Sequence, residues 1–290
     1  ADETLSVHAS IDGSANDGST ADVNPDTNLA DSIGTDVEDI IGSQGNDTLV
    51  GSTADNHVQG GPGDDLTLGR DGNDTLDGGT GIDTASYAHA TAGVTVDLSL
   101  LAAQNTLGAG TDTLTGIENL TGSNFNDTLT GNNSNNVING GLGNDILNGG
   151  GGDDLLIGGL GNNTLSGGPG ADTFQWLKDN SGHDVITDFT PGTDKLDLSQ
   201  LLQGENGTTA SLDDYLHFTV TGSGASTVTS IDVSAMAGAA PNQTIDLAGV
   251  NLASQYGVTP GAGGVVASGH DTATIINGML NDHSLKVDTV

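Results

Sequence analysis

The chain contains no cysteine, so neither a disulfide framework nor a thiolate metal site can hold it together. Cations are almost as scarce. Arg70, Lys178, Lys195 and Lys286 stand against 39 acidic residues and leave a net charge of −35. A field of that sign repels nucleic acid and anionic membranes, which excludes a polyphosphate partner. Glutamate is rare too: only Glu3, Glu38, Glu118 and Glu205 occur, and the remaining acids are Asp, which tolerates turns and makes short oxygen ligands where Glu would favour helix. Aromatic residues make up 3% of the chain, too few to fill a conventional core along its whole length. No apolar run approaches the ~18 residues that cross a bilayer. The opening Ala1-Asp-Glu-Thr-Leu-Ser6 lacks the basic and apolar segments of a secretory signal and reads as a cut inside a longer protein. With 47 glycines added, this composition predicts disorder unless something neutralises the Asp residues, and divalent cations are the evident candidate.

What is present is a repeat. Gly140–Phe174 reads as four nine-residue units, each with glycine at positions 1, 2 and 4, Asp or Asn at position 6 and a large apolar residue at position 8. Glycine permits positive φ and lets carbonyls crowd inward. Asp supplies a hard carboxylate oxygen, suited to calcium rather than a soft transition metal. The residues around position 8 form a three-residue strand whose central side chain points inward. A flexible Gly/Asp linker has no reason to place Ile146/Leu147, Leu156, Leu165 and Phe174 on a nine-residue beat. A nonapeptide of this type marks a calcium-binding parallel β-roll.

The beat is duplicated at an offset of 80, residues 38–85 aligning with 118–165. Array one starts units at Gly42, Gly51, Gly60, Gly69 and Gly78, with Asp47, Asn56, Asp65, Asp74 and Asp83 at position 6. Array two starts them at Gly122, Gly131, Gly140, Gly149, Gly158 and Gly167, with Asp127, Asn136, Asp145, Asp154, Asn163 and Asp172 at position 6. Thr67 and Ala85 weaken position 8 in array one, which predicts the looser roll; array two, with Leu147, Leu156, Leu165 and Phe174, should bind calcium more tightly.

The chain divides on this reading into a lead-in or the end of an upstream module (1–36), array one (37–86), a connecting segment (87–116), array two (117–175) and a C-terminal cap and signal domain (176–290). The fold expected is all-β: two calcium-bound parallel β-rolls in tandem, then a small mostly-β capping domain with a short helix. An alternating segment runs through Leu5, Val7, Ala9 and Ile11; Gly93–Leu98 alternates like a strand, and Gln104–Asp112 looks like a loop. Strands are expected near 184–189, 194–198, 216–221, 227–233 and 244–248. Asp271–Asp282 carries Ala273, Ile275, Ile276, Met279 and Leu280 at helical spacing behind an Asp cap, and Leu285-Lys-Val closes the domain.

The arrays resemble the RTX (repeats-in-toxin) proteins, and Gly182–Ser199 looks like the element that follows RTX rolls. Residues 199–290 are similar to the C-terminal target domain of large RTX adhesins exported by type I secretion. The resemblance implies that units two apart stack with calcium between them. One turn gives the carbonyls of positions 2 and 4 and its Asp; the other gives those of positions 1 and 3 and its Asp. Carried onto this chain, it implies about seven Ca2+ sites. Four pair Asp with Asp (Asp47/Asp65, Asp65/Asp83, Asp127/Asp145, Asp154/Asp172) and three include Asn (Asn56/Asp74, Asn136/Asp154, Asp145/Asn163). The Asn sites are expected to be weaker, because an amide oxygen brings no charge. The carbonyl donors implied are those of Gly45, Gly60, Gly61, Gly63, Gly69, Gly78, Gly140, Gly141, Gly143, Gly149, Gly150, Gly151, Gly152, Gly158 and Gly167. Ser43, Ser52, Ser123 and Asn132 break the glycine pattern at position 2, and Ala54, Phe125 and Ser134 break it at position 4, which weakens the case for the first sites of each array.

No catalytic constellation is visible, so no enzyme is expected. The histidines (His8, His57, His89, His183, His217, His270, His283) lack ligand spacing, and Gly222-Ser-Gly lacks the GxSxG context of a nucleophile elbow. Closely spaced carboxylates that could mimic a glycosidase pair recur on the calcium beat. The resemblance implies a calcium-dependent folding and export module, monomeric, not inserted in a membrane, secreted from or displayed on a Gram-negative cell. Its partners would be calcium and the type I secretion machinery: an ABC transporter, a periplasmic adaptor and an outer-membrane pore. Low cytosolic calcium would leave the chain unfolded for passage; outside, each site at 100-fold its dissociation constant adds about 2.7 kcal/mol to the folded state. The alternatives are the non-catalytic module of a secreted hydrolase or epimerase and, less favoured because position 3 is irregular, a ligand- or ice-binding roll.

Overall fold

The computed structural model describes residues 7–10, 18–19, 39–202, 212–234, 241–267 and 269–287, with side chains from residue 39 onward. Mostly short strands in parallel sheets and two α-helices make up the described residues. They fall into two compact units, Ala1–Gly141 and Leu142–Val290.

In the first unit, strands two repeat units apart lie side by side in parallel. One side stacks β1 (Val7–Ser10), β4 (Thr48–Val50), β6 (Leu66–Leu68), β8 (Thr84–Ser86), β12 (Asn119–Thr121) and β14 (Val137–Asn139), with β2 (Gly18–Ser19) antiparallel on β1. The other stacks β3 (Asp39–Ile41), β5 (His57–Pro62), β7 (Thr75–Thr80) and β11 (Thr111–Thr115). The columns do not stop where the nonapeptides do. Leu76 faces Leu114 and Ala85 faces Leu120 in register, so β11 and β12 carry the roll across the junction. The segment between the arrays also supplies β9 (Thr95–Asp97), parallel to β13 (Thr128–Thr130). Gln104–Asp112, expected as a loop, contains β10 (Gln104–Asn105) paired antiparallel with the start of β11, and Asp97 N–H donates to the Gln104 Oε1 at that end.

In the second unit β16 (Leu155–Ile157), β18 (Thr173–Gln175), β20 (Lys195–Asp197) and β24 (Leu285–Lys286) form one parallel side. The other runs from β15 (Ile146–Asn148) through β17 (Thr164–Ser166) and β19 (Gly182–Ile186) to β23 (Gln243–Ala248), β22 (Val228–Val233) and β21 (Leu216–Thr221), the last three antiparallel. These six-residue strands are long enough to hold a core of Phe218, Ile231, Val233, Ile245 and Leu247. Helix α1 (Leu252–Gln255) and α2 (His270–Asn281) cover it. The cap of α2 is Gly269, at φ 85°, and not an Asp; Asp271 lies inside the first turn, where its charge still favours the helix dipole. No helix among the described residues is long and apolar enough to cross a membrane.

Position 8 builds the core of both units. Leu49, Val58, Leu76, Leu129 and Ile138 in the first, and Leu147, Leu156, Leu165 and Phe174 in the second, are buried, as are Thr67 and Ala85. Position 8 points inward and in most of these strands its neighbours alternate outward, although Leu68 and Ile157 are buried as well. Leu147 is therefore in the core while Ile146 beside it is 53% exposed.

Candidate metal centre

Between strands the chain turns through positions 1 to 6, and the position 6 side chain points inward. Asp47, Asn56, Asp65, Asp74, Asp83, Asp127, Asn136, Asp145, Asp154, Asn163 and Asp172 are all 0–3% exposed. Five turns are tied to the next by one repeated hydrogen bond, in which the position 6 N–H donates to an Oδ1 eighteen residues ahead. Asp47 N–H reaches Asp65 Oδ1 at 2.8 Å, Asn56 reaches Asp74 at 2.8 Å and Asp65 reaches Asp83 at 2.7 Å. In the second unit Asp145 reaches Asn163 at 3.0 Å and Asp154 reaches Asp172 at 2.9 Å. Five expected pairs are thus brought together; Asp127/Asp145 and Asn136/Asp154 have one member in each unit.

The ladder takes in four acids that the nine-residue beat does not reach. Asp74 N–H donates to Asp112 Oδ1 at 3.0 Å, Asp83 to Glu118 Oε2 at 2.9 Å, Asn163 to Asp184 Oδ1 at 2.8 Å and Asp172 to Asp194 Oδ1 at 3.1 Å. A sequence signal for them exists. Gly110-Thr-Asp112-Thr-Leu114, Gly116-Ile-Glu118-Asn-Leu120, Gly182-His-Asp184-Val-Ile186 and Gly192-Thr-Asp194-Lys-Leu196 each keep positions 4, 6 and 8 of the repeat.

The glycines are required by close approach. At position 4, a methyl group on Gly81 would overlap the Gly63 carbonyl, and one on Gly161 the Gly143 carbonyl; both turns sit at positive φ. At position 1, a methyl on Gly60 or Gly149 would overlap both the Oδ2 of its own unit's Asp and the carbonyl of Gly78 or Gly167. Gly69, Gly158 and Gly167 approach the side chains of Asp74, Asn163 and Asp172 in the same way. Carbonyls and carboxylates therefore crowd these glycines too closely for any side chain.

The second carboxylate oxygen decides the chemistry. Oδ2 of Asp65, Asp74, Asp83 and Asp172 is buried and accepts no hydrogen bond from the protein. Burial raises the pKa of each, to about 7 for Asp74 and about 6 for Asp83 and Asp172, with neighbouring acids adding to it. A buried anionic oxygen without a donor costs several kcal/mol. Among the described residues no three His, Asp or Glu side chains converge on one point. A site built from two paired position 6 acids and backbone carbonyls would be an all-oxygen set, which suits a hard divalent cation. These residues fit calcium.

Position 5 has the opposite role. Asp153 is exposed, and its Oδ1 accepts from Ala171 N–H at 2.8 Å; Asp55, Asp64, Asn144 and Asn162 make the same outer bond to Asn73, Ile82, Asn162 and His183. The outer ladder is closed by the protein itself.

The RTX calcium-binding nonapeptide repeat, in a profile of four copies, matches residues 41–76, 51–85, 112–147, 121–156 and 140–174. The chain belongs to the RTX calcium-binding repeat family, and its repeats bind calcium. A subunit of the Azotobacter vinelandii mannuronan C5-epimerase is 34% identical over 43% of this chain and 72% of its own, with a TM-score of 0.36. The extracellular lipase LipA of Serratia marcescens is 20% identical; the match covers 74% of this chain but only 38% of the lipase, with a TM-score of 0.27. No curated protein sequence matches the chain. The family assignment rests on the repeats and the ladder rather than on these two likenesses.

Proposed function

We propose that this chain is a calcium-dependent folding and export module from the C-terminal part of a secreted or surface RTX adhesin. The observation that carries the calcium half is the buried Oδ2 of Asp65, Asp74, Asp83 and Asp172, each without a protein donor. Calcium between stacked turns would supply the opposite charge that these oxygens lack. The residues that would hold it are the paired position 6 acids and the carbonyls of positions 1 to 4, and the seven pairings of the nonapeptide beat give about seven ions. Seven ions would bring 14 positive charges against the net −35. Without them the acids repel, and the chain stays open enough to be threaded through an exporter; outside the cell, binding to the folded form alone drives folding.

The export half is supported by the cap that follows the roll, in which β19 and β23 continue the roll's own sheet into an antiparallel domain. Its residues 199–290 would carry the uncleaved signal read by the exporter. The test is secretion of a passenger fused to this chain in cells carrying a type I exporter. The full chain should deliver the passenger to the medium, and a fusion lacking 199–290 should leave it inside. Equal export of both overturns the assignment of the signal, and a catalytic domain encoded upstream would move the module from an adhesin to a secreted enzyme.

A further inference from the structure

The eleven nonapeptide turns are of two kinds, and the backbone at position 2 separates them. Where position 2 lies at positive φ, as at Gly61 (108°), Arg70 (74°), Gly79 (103°) and Gly168 (92°), the Oδ2 of the following Asp65, Asp74, Asp83 and Asp172 has no donor. Arg70 accepts a conformation rare for a residue with a side chain, so the turn and not the glycine is what is kept. Where position 2 is Ser or Asn, φ is not positive and the turn closes on itself. Ser43 N–H donates to Asp47 Oδ2 at 2.5 Å, Ser52 N–H to Asn56 Oδ1 at 2.6 Å, Ser123 N–H to Asp127 Oδ2 at 2.6 Å and Asn132 N–H to Asn136 Oδ1 at 2.8 Å. The side chains complete the closure. Ser43 and Ser123 hydroxyls donate to Asp47 and Asp127 Oδ1 at 2.9 and 2.8 Å. The same Ser or Asn oxygens accept the position 4 N–H of Gly45, Ala54, Phe125 and Ser134.

We infer that the turns of Asp47, Asn56, Asp127 and Asn136 take no calcium, and that the first two turns of each array are built by the chain's own donors. The inference rests on the calcium reading of the remaining turns. A carboxylate that already accepts an N–H and a hydroxyl, as in Asp47 and Asp127, or an uncharged amide oxygen that accepts an N–H, as in Asn56 and Asn136, is satisfied, and a cation could bind only by stripping those donors. The C-terminal ends of the columns are closed in kind. Asp112 Oδ2 accepts from Tyr87 and Thr106 hydroxyls, Asp184 Oδ2 from the Trp176 indole and the Gln243 amide, and Asp194 Oδ2 from Thr190 N–H. Cation sites are thereby confined to the turns whose position 2 lies at positive φ.

Position 2 alone should convert one kind into the other. Ser43→Gly restores a complete Gly42-Gly-Gln-Gly45-Asn-Asp47 turn, whereas Ser43→Ala keeps the N–H and the negative φ. Gly61→Ser would close an open turn, since a side chain at positive φ there would meet the Ser43 carbonyl 2.7 Å away. The experiment is equilibrium dialysis of the full chain against calcium chloride, counting ions bound per chain. Ser43→Gly should bind one more ion than the parent, Gly61→Ser one fewer, and Ser43→Ala the same number. Calcium bound in equal number by the parent and the first two variants overturns the inference while leaving the calcium reading intact. A parent that binds no calcium overturns both. A Gly61→Ser chain that fails to fold leaves the Ser43 pair to decide, by the gain or its absence.

Discussion

Asp154 and Asp172 are joined by a bond from the backbone N–H of one to the Oδ1 of the other, 2.9 Å long across eighteen residues. Its neighbour Asp153 is joined to the same turn from outside, through Ala171 N–H at 2.8 Å. One residue of register thus separates a buried position 6 acid from an exposed turn tie.

Asp154→Ala should weaken calcium-driven folding more than Asp153→Ala. Removing a charged buried partner costs about 1.5–3 kcal/mol, roughly tenfold or more in the calcium midpoint, while an exposed tie costs less. Matched calcium titrations of the two variants measure it. Greater damage from Asp153→Ala would shift the assigned register by one residue.

Acid should partly replace calcium. Asp74, Asp83 and Asp172 have folded-state pKa values raised to about 7, 6 and 6 from an ordinary 3.8, chiefly by burial. A raised acid favours the folded state below its unfolded pKa, and that contribution is lost as pH climbs through the folded value. The calcium-free chain should therefore gain order between pH 7.5 and pH 4, and calcium should bind more weakly at pH 5.5 than at pH 7.5 because protons compete. Circular dichroism in chelator across that range checks the first point; order that falls steadily with acidification contradicts it.

The only tryptophan reports on the end of the roll. Trp176 is buried and its indole donates to Asp184 Oδ2 at 2.7 Å, beside the Gln243 amide at 2.8 Å and Asn163 N–H on Oδ1 at 2.8 Å. Asp184→Ala strands three buried donors and should destabilise the second unit by about 2–4 kcal/mol. Tryptophan fluorescence during denaturant unfolding gives the value; a change under 0.5 kcal/mol, taken as a roughly neutral surface effect, would show the network to be slack.

The nine-residue beat carried the roll because each turn and strand is one local unit, legible from positions 6 and 8. The cap was legible too: the strand expected at 216–221 is Leu216–Thr221, since alternation there is undisturbed. Asp112, Glu118, Asp184 and Asp194 escaped because their turns follow loops of other lengths, at separations of 38, 35, 21 and 22 residues. Loop length costs little, so hydrogen bonding sets the stacking and spacing does not reveal it. The choice of Leu147 over Ile146 as core residue was legible, because position 8 of the unit that starts at Gly140 is Leu147. Leu147→Ala should cost about 2–5 kcal/mol and Ile146→Ala far less. Parallel denaturant unfolding in calcium separates them.

The central claim is that this chain folds on calcium, and circular dichroism of the full chain in chelator and again in millimolar calcium tests it most directly. The β-signal should be mostly absent in chelator and return in one cooperative step as calcium is added. A spectrum that stays the same in both would contradict the account.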